Sequence, residues 1–421
     1  MIKKFYFDNF KGFDSAEMAV ENLTTIIGTN ASGKTNAIEG IKILSELMTG
    51  RELSTILDGS KNMESEIRGG SKGCCRFGSS YFQLGCLVQY DESYDLEYKV
   101  KIKVTDRIMI ESESFYEILT EQKEERLLFK TKEARKESGD IKVTYNNGTR
   151  GKNLDFSCIR FASVISQIPT KLPQNGESEK RIVDCAIFLM EQLKNILLLN
   201  PEPAAMRGYS RLSDVELKVN ASNLSAVLNK LCKSEEKKEN LLSIMRQLPE
   251  NEIADITFSE GSLNDVILFL QEKYGNRKEK IDAFRLSDGT LRCLAIMAAL
   301  LTENKGGMIV IEEVDNGIHP GRAESIIRTI STLAKQRQID VIITTHNAIM
   351  LNALSKDDLI GVDVLYRKAD TGASSFIPLV DIEQVPQLLT EGKLGDVMTN
   401  GKLLEFIKKP VYNSDYSWLG V

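Results

Sequence analysis

Histidine is almost absent: the 421 residues include only two, His319 and His346. That scarcity excludes histidine-rich metal centres and HNH-type nuclease sites, both of which depend on imidazole. No run approaches the ~18 apolar residues of a membrane span. The first residues, MIKKFYFDNF, lack the apolar stretch of a signal peptide. The seven cysteines are odd in number, form no Cys-x-x-Cys pair and sit largely in apolar stretches. They read as reduced packing residues, not as a disulfide framework or a zinc site. Basic charge is not in excess either: the net charge is −6 and the pI about 5.4. Nucleic acid is thereby limited to a local groove or an assembled surface. A cytoplasmic protein without a membrane partner is expected.

With 42% hydrophobic and 27% charged residues, the chain can bury a large core, and its length suggests two or three folding units. Leu23–Ile27 is a β-branched run that predicts a buried strand, and Asn36–Leu47 has helical periodicity. Between them, Gly28 to Thr35 spells G-x-x-x-x-G-K-T. Strand, glycine loop and helix in this order form a phosphate-binding P-loop, because backbone N–H groups and the helix N-terminus can close on phosphate oxygens. Gly28, Asn30, Gly33 and Asn36 are expected to shape the cradle. Lys34 is expected to reach the β- and γ-phosphates and Thr35 to ligate Mg²⁺, so ATP and Mg²⁺ are the expected cofactors.

Residues 50–80 are Gly- and Ser-rich and read as a loop-rich connection. Alternating runs from Tyr81 to Tyr145 predict an antiparallel sheet, with Asn147–Gly148 as a hairpin signal. From Ser178 to about 250 the pattern turns helical, and KSEEKKEN reads as a solvated face. Strand character then returns, with a turn at Gly275–Asn276. Met308–Ile311 and Val341–Thr344 are continuous apolar runs flanking a helix, which predicts a βαβ unit in a parallel sheet. Three segments are expected: 1–170 and 251–421 as two halves of one α/β nucleotide-binding head, and 171–250 as a helical insertion.

The second half of a nucleotide site lies in the last segment. MIVIEE is an apolar strand ending in Glu312 and Glu313, the Walker B arrangement. The first carboxylate is expected to serve Mg²⁺ and the second to polarise the attacking water. VIITTHN ends a buried strand in His346, at the strand end where open α/β sheets bind ligands, so His346 is a candidate γ-phosphate donor. RLSDGTLRCLAIM reads as a capped core helix, yet Gly289 stands in its first turn, where glycine costs about 1 kcal/mol relative to alanine.

P-loop, Ser–Asp–Gly helix start, Walker B and strand-end histidine follow one another in the order found in ATP-binding-cassette-type ATPases. IKKFYFDNFKGF, LTTIIGTNASGKTNAIEGI, RLSDGTLR, IEEVDNGIHP and ITTHN resemble the stand-alone SMC-like and RecF-like ATPases. Among these are the ATPase part of the OLD (overcoming lysogenization defect) family and AAA-labelled ATPases of bacterial anti-phage defence. The resemblance implies a P-loop NTPase head with a mixed, partly parallel core sheet and an antiparallel β subdomain. It also implies a homodimer sandwiching ATP, with larger assemblies left open. Ser287 would donate to the γ-phosphate held by the other copy, and Gly289 would keep the backbone open to it. By the same resemblance Asp315 and His319 lie in a D-loop near the dimer interface. Gln167 is the Q-loop candidate sensing Mg²⁺ and water. Lys11 stands where relatives place a basic residue near the nucleotide, its plain alternative being an exposed charge.

Two departures stand out: Glu312 replaces the Walker B aspartate, and Asp288 places a carboxylate within the signature. The stretch after His346 is too short for the Toprim nuclease domain of OLD proteins. The function implied is therefore a nucleotide switch controlling a separately encoded nuclease or toxin. A RecF-like DNA-repair ATPase that binds DNA when closed is the alternative.

Overall fold

Apolar runs set the order of elements in the computed structural model, which describes residues 1–60, 63–135, 138–149, 153–247, 253–275 and 277–399. The chain begins with β1 (Ile2–Phe10), β2 (Phe13–Ala19), β3 (Leu23–Ile27), α1 (Lys34–Leu47), α2 (Leu53–Asp58), β4 (Gly59–Ser60), β5 (Met63–Glu64) and α3 (Gly70–Cys74). Six longer strands follow: β6 (Tyr81–Gln89), β7 (Tyr94–Val104), β8 (Ile108–Leu119), β9 (Glu125–Thr131), β10 (Asp140–Tyr145) and β11 (Leu154–Ile159). Next come α4 (Ile168–Lys171), α5 (Glu177–Lys194), β12 (Leu197–Leu199), α6 (Pro203–Met206), β13 (Ser210–Arg211), α7 (Leu224–Leu231) and α8 (Glu235–Arg246). The rest comprises β14 (Ile253–Glu260), β15 (Asp265–Tyr274), β16 (Arg277–Asp282), α9 (Asp288–Thr302), β17 (Met308–Ile311), α10 (Pro320–Arg337) and β18 (Asp340–Thr344). Last are α11 (Ala348–Asn352), β19 (Val362–Arg367), β20 (Ser374–Pro378), α12 (Val385–Glu391) and α13 (Leu394–Thr399).

The chain forms two compact units. The first comprises 1–20, 28–196 and 363–377; the second comprises 21–27, 197–362 and 378–421. The first unit carries the strand order β11-β10-β9-β8-β7-β6-β1-β2-β20-β19. Its ladders are antiparallel from β11 to β2, and β20 then joins β2 in parallel through Phe13 and Ser374. The expected sheet over 81–145 is present, extended by β11 on one side and by the N-terminal hairpin β1–β2 on the other. MIKKFYFDNF thus forms a strand, with Phe5, Phe7 and Phe10 fully buried. Phe7 and Phe376 both stack on Phe13, with ring centroids 5.1 and 5.4 Å apart.

The second unit carries β3-β18-β17-β12, all parallel. β3, β17 and β18 are buried at every residue, as strands covered on both faces must be. β17, α10 and β18 form the expected βαβ unit. Helix α9 is buried almost all round, from Thr290 and Leu291 through Cys293 to Leu301, so it is the central helix of this core. A smaller sheet, β13-β15-β14 with β16 on β15, completes the unit. The stretch 171–250, expected as one helical insertion, is divided: α5 belongs to the first unit, and the remainder to the second. The physical reason is Leu197–Leu199, whose apolar run pairs in parallel with β17 and ties the following helices to that core. The boundary at 250 and the turn residue Asn276 lie outside the described residues.

All seven cysteines are free thiols. Burial pushes each of them up, Cys74, Cys158, Cys185 and Cys232 to about 12 and Cys293 to about 11, which keeps them protonated and unreactive. Among the described residues no helix is long and apolar enough to cross a membrane.

Glu113 of β8 is buried and accepts hydrogen bonds from the N–H groups of Val164 (2.7 Å) and Ile165 (2.6 Å). Burial outweighs these bonds and pushes its carboxyl up to about 7. A carboxyl that protonates more readily folded than unfolded favours folding fully below its unfolded pKa, and loses that contribution as pH rises through 7. Thermal stability should therefore fall between pH 5 and 8, with Glu113 contributing on the order of 3 kcal/mol. Glu113→Gln, which cannot ionise, should flatten that slope in melting curves. The buried Asp340, also pushed up to about 7 by burial, leaves a residual slope of the same sign. An unchanged slope in the variant would show that Glu113 does not titrate in this window.

Candidate nucleotide site

The P-loop leaves β3 at Ile27 and turns through Gly28–Gly33 into α1. A Cβ on Gly28 would lie 2.4 Å from the carbonyl oxygen of Leu365, so only glycine passes there. Ala31 and Gly33 take left-handed backbone at φ +63° and +119°, a turn that directs N–H groups inward. The β19–β20 hairpin braces it: Ser374 Oγ donates to Ser32 O (2.6 Å), and Arg367 Nε donates to Ala31 O (2.9 Å). Gly33 offers α1 no side-chain cap, and its first turn holds no acidic residue. The positive helix end is thus left for an anion. Lys34 Nζ is folded into the loop, donating to Gly28 O (2.7 Å) and Thr29 O (3.2 Å). The Ser32 hydroxyl is buried and makes no hydrogen bond. An uncapped helix, a lysine inside the turn and an unsatisfied buried hydroxyl fit a phosphate chain. Asn30 is exposed, and Thr35 and Asn36 are half-buried at the helix start.

Two other expected residues of this unit are already engaged. Lys11 is neither an exposed charge nor open to a ligand in this conformation. Its Nζ pairs with Glu39 Oε2 of α1 at 2.7 Å, with both side chains 7% exposed, and also donates to Arg68 O. Gln167 ends a 3-10 turn (Ile165–Gln167), not a strand. Its Oε1 accepts from Ile159 N (3.0 Å), and its Nε2 donates to Ile159 O (3.0 Å) and Ser163 O (3.1 Å). Reaching a metal ion would require it to leave this backbone clamp.

The second unit carries the acidic strand end. Past Ile311, Glu312 is half-buried and Glu313 is exposed, with left-handed backbone at φ +47°. Such a conformation costs a non-glycine residue about 1 kcal/mol or more and persists only where the surroundings enforce it. Here Thr344 enforces it: its Oγ1 accepts from Glu313 N (2.8 Å) and its carbonyl accepts from Val314 N (3.1 Å). Asp315 accepts from Thr345 Oγ1 (2.8 Å) and lies 3.9 Å from Nε2 of the half-exposed His346. One pair of threonines at the end of β18 therefore holds Glu313 and Asp315 at the end of β17, with His346 beside Asp315.

At the start of α9, Ser287 Oγ accepts from Thr290 N (3.1 Å) and lies 2.9 Å from Thr290 Oγ1. Gly289 proves to serve a contact within the chain. A Cβ there would lie 2.9 Å from the carbonyl oxygen of Gly317, itself at φ +68°. The glycine lets the Asn316–His319 segment approach the helix, which offsets its cost in the first turn. His319 caps α10, with Nδ1 accepting from Gly321 N (3.2 Å). Asp288 Oδ1 accepts a hydrogen bond from Arg207 Nη2 (2.6 Å).

Thr344 and Thr345 pass unnoticed in the sequence, where Thr344 counts with the apolar run, although a polar pair closing such a run is a local signal. Ser374, Arg367 and Arg207 carry no local signal, since each acts on a loop dozens to hundreds of residues away.

Residues 207–352, which include the helix start at Ser287, the strand ending before Glu312 and Glu313, and His346, match the family model described as "AAA domain, putative AbiEii toxin, Type IV TA system". No curated protein matches the chain. A solved SMC head, bound in its crystal to the C-winged helix domain of ScpA, is similar over 89% of this chain and 97% of its own, with 13% identity and a TM-score of 0.50. The SMC head domain from Thermotoga maritima shares 15% identity over 90% and 98% of the two chains, with a TM-score of 0.41. That from Pyrococcus furiosus, with an extended coiled coil, shares 14% over 97% and 99%, with a TM-score of 0.43. The chain has the mixed α/β P-loop NTPase fold of the solved SMC head.

Proposed function

We propose that this chain binds ATP with Mg²⁺ and hydrolyses it to ADP and phosphate, acting as a dimeric switch that controls a separate effector, a nuclease or toxin, in bacterial anti-phage defence. The observation that carries the nucleotide reading is the P-loop, with Lys34 Nζ inside the turn and α1 uncapped above it. Its N–H groups and Lys34 hold the β- and γ-phosphates. Thr35 and Glu312 serve Mg²⁺, which when bound neutralises charge on those phosphate oxygens and needs few protein ligands. Glu313 takes a proton from a water that attacks the γ-phosphorus, and the bond to the β-phosphate oxygen breaks as ADP leaves. His346, steadied by Asp315, donates to the γ-phosphate oxygen. Ser287 of a second copy completes the site, so closure requires bound triphosphate and hydrolysis releases it.

The defence role rests on the sequence resemblance and on the toxin–antitoxin description of the matched family. The row Lys99, Lys101 and Lys103 on β7 is paired with Glu97 and Glu111 and gives the DNA-repair reading no support.

Purified protein should bind ATP·Mg²⁺ in calorimetry, release phosphate, and sediment as a dimer only with ATP. A chain that neither binds nor hydrolyses ATP refutes the proposal. Bacteria carrying the gene with its neighbours should resist phage, and a P-loop variant should abolish resistance.

A further inference from the structure

Asp288 sits where the proposed function needs least negative charge. It occupies the first turn of α9, next to Ser287, and its carboxylate is 63% exposed. An acidic residue there satisfies the positive helix end itself and repels an incoming phosphate. Arg207, just beyond α6, counters both effects. Its Nη2 donates to Asp288 Oδ1 (2.6 Å) and to Leu286 O (3.0 Å), and its Nε to Phe284 O (3.3 Å). One guanidinium thus pairs with the carboxylate and, through the carbonyls of Phe284 and Leu286, braces the backbone leading to Ser287. Arginine suits this task because its planar fork serves several acceptors at once.

We infer that Arg207 is a positioning residue for nucleotide capture between two copies of the chain: it holds Asp288 aside, so that the helix end at Ser287 receives the γ-phosphate bound by the partner copy. The inference rests on the ATP-sandwich reading above. It differs from a purely structural role in one respect. If Arg207 only braced the carbonyls of Phe284 and Leu286, removing the Asp288 charge would not compensate for its loss.

The test is ATP-dependent dimerisation, followed by sedimentation in Glu313→Gln protein so that bound ATP persists. Arg207→Gln should weaken association by about tenfold or more, the cost of an unneutralised charge facing an anion. Adding Asp288→Asn to Arg207→Gln should restore association to that of Asp288→Asn alone. Asp288→Asn alone should associate at least as tightly as the parent, a readout that holds even where Arg207→Gln fails to fold. Unaltered association of Arg207→Gln, failure of Asp288→Asn to rescue it, or weaker association of Asp288→Asn alone would each overturn the inference while leaving the dimer intact. If the Glu313→Gln parent itself does not associate with ATP, the sandwich reading fails and this inference fails with it.

Discussion

Glu313→Gln should slow phosphate release by roughly 10²–10⁴-fold, the usual contribution of a positioned general base, while ATP stays bound. The substitution exchanges one oxygen for an amide nitrogen and leaves the surroundings intact. Thr344 Oγ1 holds the backbone N–H of residue 313 at 2.8 Å whichever side chain follows. The left-handed backbone at φ +47° is equally strained for glutamine, so the melting temperature should hardly move. Glu313→Gly, which relieves that strain, should fold at least as stably and be equally inactive. Single-turnover phosphate release, measured beside ATP affinity, separates chemistry from binding. Turnover near that of the parent would remove Glu313 from the mechanism and redirect attention to Glu312 or His346.

The second large effect belongs to binding. Lys34→Ala should lower ATP affinity by about 10²–10³-fold, since charge-assisted contacts to a desolvated phosphate are worth a few kcal/mol. The loss is a difference between two states. Without nucleotide the ammonium donates to Gly28 O and Thr29 O, and alanine forfeits those bonds as well. Part of the effect therefore appears as reduced stability of the free loop. Melting curves with and without ATP·Mg²⁺ resolve the two, because a ligand bound only by the folded state adds stability that grows as the logarithm of one plus its concentration over Kd. The parent should melt higher with ATP and the variant should not. Equal shifts in both proteins would mean that ATP binds elsewhere.

How far these sites were legible follows from the range over which each is specified. The P-loop needs glycine at Gly33, where the chain turns left-handed, and β-branched residues immediately before it, so its elements are adjacent in sequence. The Walker B strand and β18 announce themselves as apolar runs because both of their faces are covered. The N-terminal hairpin passed without a signal, since Lys3, Lys4 and Tyr6 interrupt its alternation. Asp288 read only as a departure within the signature because its partner, Arg207, stands on a different element. Lys11 offered two readings, ligand contact or surface charge, and the structure supplies a third: a buried pair with Glu39. Gly289 was legible as an oddity in a helix, but its neighbour, the carbonyl of Gly317, was not.

By itself, then, the amino-acid order determined that this protein has a phosphate loop on an α/β core, because strand burial, glycine turns and helix starts are properties of a few consecutive residues. Only the tertiary structure decided what each polar side chain is committed to: Lys11 to Glu39, Gln167 to its own loop, Asp288 to Arg207, and Ser374 Oγ to Ser32 O. Such commitments require atoms to meet within about 3 Å, and strand register and helix packing bring them there across stretches of chain that carry no mark of one another.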